Sequence, residues 1–491
     1  MVCFKFFLEI LHMLRFGLNR LYHSLSSNLV KSQQRNAHSR FPLKWSTSHV
    51  TYREDQIPKN TDVLIIGGGI VGWATAFWLR HDSKFSVTVV EKDPTYSQSA
   101  TVLGLGSIRQ QFSEPENIQM SLFSTDFLRN ITKYLSVEDL TENIDIDFNP
   151  QGCLILADSK NADLLKENYL LQLDLGAKVD LLGKKALSER WPWLSIEDVE
   201  MGCYGYENEG WFDPFLLLKA LKTKCHFMGV NYVVGEVIEF DLSPYTLSFL
   251  QPVGPLRPPV SSRPLRYATV LLPDQSRACI EFNSVVNAAG PWAARVAELA
   301  EVGSEYHPLR LPVEPRYRQV FVVRPKNTLN SDENKYPLPG LDMPFMIDHN
   351  RLFIERRDLS GEFFVYSDDP KFDFFNNNEQ STVNYEFFHE HIKPLLRKRI
   401  PGFKDVEVTS GWISICDYNT WDQNLIIGSH PFHANMYLCN GSSGHGTQHA
   451  IAIGKSVSEL LTYHCFKTLD LARFSFDRLY INETIKETNC F

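Results

Sequence analysis

Three glycines near the start of the chain have the spacing of a nucleotide-binding turn. Gly67, Gly69 and Gly72 follow an apolar run at residues 62–66 and lead into a helical pattern over residues 70–81. In such a turn the first glycine permits a sharp bend, the second leaves room for a pyrophosphate, and the third lets helix and strand pack closely. The start of the helix offers N–H groups to the phosphates. The spacing therefore predicts a dinucleotide site, with a glycine-rich turn in a packed sheet as the alternative.

An acidic residue follows at the place where a ribose would be bound. Glu91 ends a second apolar run, residues 86–90, and lies about 20 residues after Gly72. A carboxylate there can accept hydrogen bonds from an adenosine ribose and would repel a 2′-phosphate. The alternative is a solvated glutamate at a strand end. The order strand, turn, helix, strand predicts the start of a doubly wound parallel sheet, and it does not separate FAD from NAD.

Two further junctions combine small residues with the start of a helical pattern. Small side chains let a backbone approach a cofactor closely, and a cluster of amides at a helix start can stabilise negative charge on a ligand. The alternatives are a tight strand-to-helix junction in the first case and a capping or core histidine in the second. The residues concerned are Ala289 and Gly290 in the first junction and Gly444, His445 and Gly446 in the second.

Three segments resemble the family of D-amino-acid oxidase, glycine oxidase, sarcosine oxidase and dimethylglycine dehydrogenase. They are residues 285–293, residues 440–446 and residues 103–111. The resemblance implies that the first two contact FAD and that the third runs under the flavin ring with Arg109 beside it. It also implies an α/β fold, in which a Rossmann-like FAD-binding domain is interleaved with a mixed-sheet substrate domain. The implied reaction is hydride transfer from a carbon next to nitrogen to the flavin.

Two positions depart from the pattern of this family. Sarcosine oxidases carry a lysine where this chain has Gln448, and that lysine holds the substrate carboxylate. Because glutamine brings no charge, we predict that an amino-acid carboxylate is bound less strongly here. The lysine used for reaction with dioxygen has no counterpart between Arg357 and Tyr366. Both differences favour a dehydrogenase that passes electrons to a protein or quinone, or a flavoprotein with mainly an assembly role. The implied pocket candidates are Arg109, Tyr418, His445 and Gln448, and no catalytic base is assigned.

The way in which FAD is held depends on two attachment points found in relatives. One is a histidine after the second strand, and none occurs between Glu91 and Phe112. The other is a cysteine before the final flavin strand, and Cys416 lies close to that place, with a buried structural cysteine as the alternative. We therefore predict non-covalent FAD, with Cys416 as the candidate for a covalent bond. The nine cysteines include no C-x-x-C pair, which argues against a zinc site and a disulfide scaffold.

Longer segments resemble one mitochondrial branch of the same family, over a range from about residue 60 to the C-terminus. The segments are residues 95–98, 109–113, 115–119, 209–214, 311–315 and 417–424. The resemblance implies a matrix flavoprotein on the inner membrane that is needed for assembly of respiratory complex I. Its implied partners are complex I subunits or assembly factors. The alternative is an active amine or N-methyl amino-acid dehydrogenase that transfers hydride from a small amine substrate to FAD.

The first 53 residues differ in composition from the rest of the chain. They hold eight lysines and arginines against one acid, Glu9, and their apolar residues could form one face of a helix. This composition is typical of a mitochondrial targeting segment. The alternatives are a secretory signal and a disordered basic tail. Lys5, Glu9 and Arg15 interrupt the uncharged run that a secretory signal needs.

Length and charge bound the remaining possibilities. The net charge of −9 disfavours nucleic acid as a partner. No stretch after residue 53 reaches the ~18 apolar residues of a transmembrane helix, so we predict peripheral association with the inner membrane at most.

The chain of 491 residues suits two interleaved domains. We predict an FAD-binding domain from residues 60–140, 205–305 and 405–475, a substrate domain from 141–204 and 306–404, and a C-terminal tail at 476–491.

Periodicity also predicts individual elements of the two domains. Apolar residues at helical spacing indicate one helix over residues 117–135 and a long closing helix over residues 447–463. Apolar and β-branched runs indicate one strand over residues 230–240 and another over residues 345–354. Because proline cannot donate to a sheet ladder, the proline-rich residues 243–266 are predicted as an insertion loop.

Overall fold

A computed structural model describes residues 57–137, 144–242, 264–305, 307–326, 337–357, 360–372 and 382–489. The predicted targeting segment and residues 243–263 of the predicted insertion loop lie outside these ranges. The strands are β1 (Asn60–Ile66), β2 (Val87–Glu91), β3 (Ser107–Ile108), β4 (Cys153–Ala157), β5 (Val179–Gly183), β6 (Met201–Gly205), β7 (Gly210–Trp211), β8 (Asn231–Val234), β9 (Glu236–Leu242), β10 (Leu265–Leu271), β11 (Arg277–Asn287), β12 (Val313–Pro325), β13 (Phe345–Ile347), β14 (Leu352–Glu355), β15 (Phe363–Ser367), β16 (Val406–Asn419), β17 (Ile426–Ser429) and β18 (Met436–Asn440).

The helices lie mainly between these strands and at the C-terminus. No helix of the described ranges combines the length and the apolar character that crossing a bilayer requires. The α-helices are α1 (Ile70–Asp82), α2 (Ala100–Leu103), α3 (Pro115–Arg129), α4 (Ile131–Leu135), α5 (Ala162–Asp174), α6 (Lys184–Arg190), α7 (Pro214–Phe227), α8 (Ala293–Leu299), α9 (Tyr385–Phe387), α10 (Lys393–Arg399), α11 (Gly446–Tyr463) and α12 (Asp477–Tyr480), with a π-helical turn at Phe388–Ile392.

Two eight-stranded sheets carry the fold. In the first sheet the strand order is β17-β18-β11-β1-β2-β8, and β10 and β9 continue from β11. Strand β1 pairs in parallel with both β11 and β2, and α1 connects β1 to β2. In the second sheet the order is β16-β12-β15-β14-β13-β4-β6-β5, with parallel and antiparallel pairs. The predicted α/β class, with a Rossmann-like part and a mixed sheet, is confirmed.

The division into domains, with residues 405–475 in the FAD-binding domain, stays a prediction. Within this range, strand β16 pairs with β12 over the whole length of β12, from Val313 opposite Asn419 to Pro325 opposite Val406. It therefore belongs to the second sheet, because the pairing partner of a strand is set by long-range register and not by neighbours in sequence.

Three predicted elements are divided in the structure. The helix over residues 117–135 breaks at Asn130, whose amide group donates back to the carbonyl oxygen of Asp126 at 2.9 Å. The strand over residues 345–354 is a hairpin of β13 and β14, and its turn places Arg351 at a positive φ of 58°. The strand over residues 230–240 divides at Gly235, and β10 begins within the predicted insertion loop.

Helix α1 is buried on nearly all sides and packs directly on α11. Its sequence is apolar around most of its circumference, as expected for a helix between other elements. A Cβ on Gly454 of α11 would lie 2.5 Å from the carbonyl carbon of Ala74 in α1, so the two backbones are in close contact. Trp78 Nε1 donates to the carbonyl oxygen of Ile451 at 3.1 Å. This contact fixes the start of α11 relative to the glycine turn before α1.

The segment predicted as a C-terminal tail is part of the folded structure as far as residue 489. Arg478 and Asp422 form a buried ion pair, with Nε to Oδ2 at 2.8 Å and Nη2 to Oδ1 at 3.0 Å. The carboxylate of Glu487 accepts from the backbone N–H groups of Ser113 at 2.8 Å and Glu114 at 3.0 Å. It thereby caps the start of α3. We call residues 484–489 the C-terminal strap.

Replacing Gly454 with alanine should destabilise the protein by about 1–3 kcal/mol, because the added methyl group forces the backbones of α1 and α11 apart. The matched control is Gly183→Ala, since φ at Gly183 is −80° and a Cβ there would meet nothing within 4 Å. Urea unfolding of the FAD-loaded protein measures both changes. Equal stability of the Gly454 and Gly183 variants would contradict the close contact.

Candidate functional site

A cavity of about 900 Å³ opens where both sheets and the start of α11 meet. This volume is in the range of cofactor and ligand pockets. All three segments that the sequence analysis connected with a flavin contribute to its wall. The predicted residues on the wall are Gly67, Gly69, Glu91, Ala289, Gly290, Cys416, Gly444, Gly446 and Gln448.

Four predicted residues lie behind this wall and do not line the cavity. They are Gly72, Arg109, Tyr418 and His445. A Cβ on Gly72 would lie 2.0 Å from the carbonyl oxygen of Gly67. Gly72 therefore allows close contact between helix and strand, and it does not line the cavity. Arg109 and Tyr418 are only 4% and 8% exposed.

Glu91 holds the glycine turn in shape. Its Oε2 accepts from the N–H of Gly68 at 2.7 Å, and its Oε1 accepts from the N–H of Asp93 at 2.8 Å. Burial raises the pKa of Glu91, and these two N–H groups act against that rise. The carboxylate thus fixes the turn while it remains on the cavity wall, at the place predicted for a ribose.

A buried lysine lies near Glu91 and was not found from the sequence. Lys222 on α7 is 4% exposed, and its Nζ lies 3.9 Å from the ring centre of Tyr232 and 5.3 Å from that of Tyr96. Burial lowers the pKa of Lys222 to about 8, and the charge of Glu91 opposes this change. Lys222 thus places a positive charge behind the cavity wall, close enough to Glu91 for the two charges to interact. In the sequence it is one of several lysines on a helix, so no local signal identifies it.

Helices α1 and α11 both begin at the cavity, and their first turns contain no acidic residue. The positive ends of both helix dipoles therefore face the ligand space. A Cβ on Gly290 would meet nothing within 4 Å, and one on Gly69 would meet only Thr101 Oγ1 at 3.5 Å. These glycines leave open the space that a pyrophosphate and a flavin need. The residues present fit FAD.

Gln448 is held by the protein at both ends of its side-chain amide. Its Oε1 accepts from the N–H of Arg109 at 3.0 Å, and its Nε2 lies 3.2 Å from Nδ1 of His445. Burial, with Arg109 as a further cause, lowers the pKa of His445 well below its usual range, so this imidazole is neutral. The structure thus brings three of the four pocket candidates together, while Tyr418 belongs to β16.

The second sheet covers the cavity with side chains that the sequence analysis did not single out. Arg316 and Arg318 of β12 and Tyr366 of β15 line the cavity. Arg316 is paired with Glu314, with Nε to Oε1 at 2.7 Å. Arg318 Nη1 lies 3.7 Å from the place that a Cβ on Gly444 would occupy. The two arginines are two positions apart on β12, so they share a face, and this spacing is the signal that could have found them.

Asp417 fixes the loop before α11. Its Oδ2 accepts from the N–H groups of Gly441 at 2.8 Å and Ser442 at 3.0 Å, and its Oδ1 accepts from Ser442 Oγ at 2.7 Å. Burial raises the pKa of Asp417. Cys416 lies next to it in β16, opposite Arg316, with its side chain at the cavity wall. Across the described ranges, no three His, Cys, Asp or Glu side chains are arranged to hold a metal ion.

The segment that follows Arg109 is held from two sides. On one side Glu209 accepts from the N–H of Gln110 and from Gln111 Nε2, both at 2.7 Å. On the other side Asn489 of the C-terminal strap donates to the carbonyl oxygen of Gln111 at 2.8 Å. Glu209 is fully buried, and burial raises its pKa to about 7. It is a second functional candidate that the sequence analysis missed.

Comparisons with known proteins agree with this geometry. The family described as FAD dependent oxidoreductase matches residues 62–460. The Xenopus laevis protein named FAD-dependent oxidoreductase domain-containing protein 1 is 40% identical over 95% of this chain and 91% of its own length. L-proline dehydrogenase from P. horikoshii superposes with a TM-score of 0.68 at 22% identity, over 87% of this chain and all of its own. Glycine oxidase from Geobacillus kaustophilus gives 0.64 at 20% identity, over 86% and 99%.

Replacing Gly69 with valine should abolish FAD binding, because the branched side chain would fill space that the pyrophosphate needs. The smaller Gly69→Ala should retain FAD with reduced affinity. The measurement is the ratio of flavin to protein after purification, with circular dichroism to show that both variants fold. A folded valine variant that carries as much FAD as the unaltered protein would place the pyrophosphate elsewhere.

The raised pKa of Glu209 predicts a loss of stability as the pH rises. The folded state favours the protonated carboxyl, so this contribution is fully present below about pH 4.5 and is lost as the pH rises to about 7. Between pH 5.5 and pH 8 the unaltered protein should lose about 2 kcal/mol that a Glu209→Gln variant does not lose. Urea unfolding at the two pH values measures the difference, and parallel pH dependence in both proteins would contradict this role.

Proposed function

We infer the function from the premise that this chain belongs to the FAD-dependent oxidoreductase family and that its cofactor is FAD. From that premise we propose that it is a mitochondrial flavoprotein needed for the assembly of respiratory complex I. Two observations support the proposal. The likeness to the Xenopus protein covers 95% of the chain, and the first 53 residues carry eight basic side chains against one acid.

The observation that carries this proposal is the contrast between two parts of the same cavity. The FAD cradle is complete, since the glycine turn, Glu91 and the starts of two helices all meet there. The position where sarcosine oxidases carry a lysine is Gln448, and both ends of its amide are used inside the protein. This contrast favours a role in which the FAD-bound fold serves a partner. Bound FAD would stabilise that fold by mass action.

We further propose that the partners are complex I subunits or assembly factors and that the protein acts in the matrix, peripherally at the inner membrane. The test uses cells that lack the protein. Expression of the unaltered chain should restore the amount of assembled complex I on a native gel, and the FAD-free Gly69→Val variant should not. A normal amount of assembled complex I in cells that lack the protein would contradict this proposal.

A matched variant separates assembly from chemistry in the same cells. Tyr366→Phe keeps the packing of β15 and removes only a hydroxyl group at the cavity wall. If the fold with FAD is what complex I assembly needs, this variant should restore complex I as well as the unaltered chain does. If the Tyr366→Phe variant fails to restore complex I at an unchanged FAD content, the protein would be needed for its chemistry and not for the FAD-bound fold alone.

The second candidate function is oxidation of an amine or N-methyl amino acid. It is favoured by the polar face that β12 and β15 present to the cavity, because a binding surface opposite the FAD cradle suits a small donor. FAD, when bound, supplies an acceptor for a hydride from a carbon next to nitrogen. Protein residues then have to orient the donor and hold its charged groups. We propose a protein or quinone as electron acceptor. The lysine that related oxidases use for reaction with dioxygen has no counterpart between Arg357 and Tyr366.

An anaerobic screen tests this second candidate. The FAD-loaded protein is mixed with amines and N-methyl amino acids, and bleaching of the flavin absorption is followed. Bleaching by one compound, and slower bleaching in an Arg318→Gln variant, would support an enzyme. If dithionite readily reduces the flavin but no amine bleaches it, the assembly role would remain as the only proposed function.

A further inference from the structure

We propose that Lys222 is a positioning residue for the cofactor, whose buried ammonium group keeps Glu91 ionised at the cavity wall and thereby makes the binding of FAD weaken as the pH rises. Lys222 does not line the cavity, so it acts through Glu91, which does. The inference rests on FAD as the cofactor and goes beyond the proposed function, because it holds whether the protein serves complex I assembly or oxidises an amine.

Three aromatic rings from three parts of the chain lie around the ammonium group of Lys222. Its Nζ is 3.9 Å from the ring centre of Tyr232 on β8, 5.3 Å from that of Tyr96 after β2, and 5.8 Å from that of Trp73 on α1. The faces of aromatic rings attract a cation. Lysine is seldom buried without such partners, so these rings explain how a charged side chain is kept behind the cavity wall.

Tyr96 connects these rings to the glycine turn. A Cβ on Gly68 would lie 3.2 Å from Glu91 Oε2 and 3.3 Å from the hydroxyl oxygen of Tyr96, so both oxygens adjoin the same point of the turn. The hydroxyl also accepts from Trp73 Nε1 at 3.3 Å. Tyr96 has a positive φ of 57°, which is uncommon for a bulky residue. This conformation indicates that the surrounding contacts fix the position of the ring.

Glu91 and Lys222 stabilise each other's charges. Burial raises the pKa of Glu91, and two backbone N–H groups and the charge of Lys222 act against that rise. Burial lowers the pKa of Lys222 to about 8, and the charge of Glu91 opposes this change. Removing one charge of a buried pair leaves the other in an unfavourable environment. The state of the lysine therefore affects the carboxylate that holds the turn.

The other titratable groups that face this pair keep their charge state near pH 8. Burial, with the charge of Lys222 as a further cause, lowers the pKa of His226 to about 4, so its ring is neutral there. Against the effect of burial, hydrogen bonds from two hydroxyl side chains keep the pKa of Asp93 below its usual range, so it is ionised. The remaining two groups are the phenols of Tyr96 and Tyr232, which face the ammonium.

The direction of the pH effect follows from the charge of Lys222. The lysine is charged below about pH 8 and becomes neutral above it. While it is charged, it favours the ionised Glu91, whose Oε2 accepts from the N–H of Gly68 at 2.7 Å on the cavity wall. When the charge is lost, the buried carboxylate is less stable as an anion and holds the turn less well. FAD should therefore be bound most tightly below pH 8 and less tightly at pH 9.

The experiment measures how fast FAD leaves the loaded protein after dilution at pH 7, 8 and 9. The readout is the flavin absorbance that passes a filter which retains the protein. The unaltered protein should release FAD about 5-fold faster at pH 9 than at pH 7, as expected if bound FAD raises the pKa of Lys222 from about 8 by one unit. Lys222→Met should release FAD about 10-fold faster than the unaltered protein at pH 7, and at the same rate at all three pH values.

Two further variants separate the charge of Lys222 from its packing and from the general charge of the helix. Lys222→Arg stays charged at every pH used, so it should retain FAD at pH 9 as well as at pH 7. Lys219→Met removes an exposed lysine from the same helix, α7. It should behave like the unaltered protein at each pH.

Each other outcome overturns the inference. Release from the unaltered protein that does not change with pH would show that the lysine and FAD are not coupled. A pH dependence that persists in Lys222→Arg would come from another group. Equally fast release from Lys222→Arg and Lys222→Met at pH 7 would show that the packing of the lysine matters and not its charge. Circular dichroism at each pH separates release from unfolding, and if Lys222→Met does not fold, the unaltered and Lys222→Arg proteins decide alone.

Discussion

Direct contact between backbones is the constraint on which this structure depends. Two glycines, Gly72 in α1 and Gly454 in α11, occur where a side chain would collide with the backbone of another element. Gly72 allows α1 to pack closely against the end of β1, and Gly454 allows α11 to pack closely against α1. Because of these two contacts, helices that start far apart in sequence, at Ile70 and Gly446, begin at one cavity. The N–H groups at both helix starts therefore face one ligand space, which suits the phosphates of a dinucleotide.

The second sheet sets the other side of the cavity through bonds to the segment beneath the expected flavin position. Arg357 donates to the carbonyl oxygen of Leu105 and is also paired with the buried Glu355. Trp412 Nε1 donates to the carbonyl oxygen of Leu103 at 3.0 Å. Arg357, just after β14, and Trp412 in β16 therefore hold the segment from two points. The second sheet thus both lines the cavity and fixes the segment from Leu103 to Leu105, so a change in this sheet is expected to alter both.

A feature could be predicted from the sequence when the residues that determine it lie close together in the chain. The glycine turn and the first strand–helix–strand unit depend on neighbours within about 30 residues, and the structure contains both elements where they were predicted. The role of Glu91 in binding a ribose stays a prediction. Arg318 and Glu209, whose positions depend on long-range pairing and which belong to no recognised motif, were missed. Arg318 faces the cavity because β12 pairs with β16, and Glu209 meets Gln110 across nearly a hundred residues of chain. The break at Asn130 was missed for a different reason, since one side-chain amide ends a helix that the apolar pattern continues.

The C-terminal strap has a consequence for the order in which the protein can be completed. Asn489 and Glu487 close the segment from Gln111 to Glu114, which continues directly from Arg109. A chain synthesised from its N-terminus carries that segment for more than three hundred residues before the residues that close it exist. The segment beside the cavity is therefore closed late, by residues that are synthesised long after it. Loss of residues 487–489 would keep every cofactor motif in the sequence and still leave this segment open, so the closed site depends on residues that carry no motif.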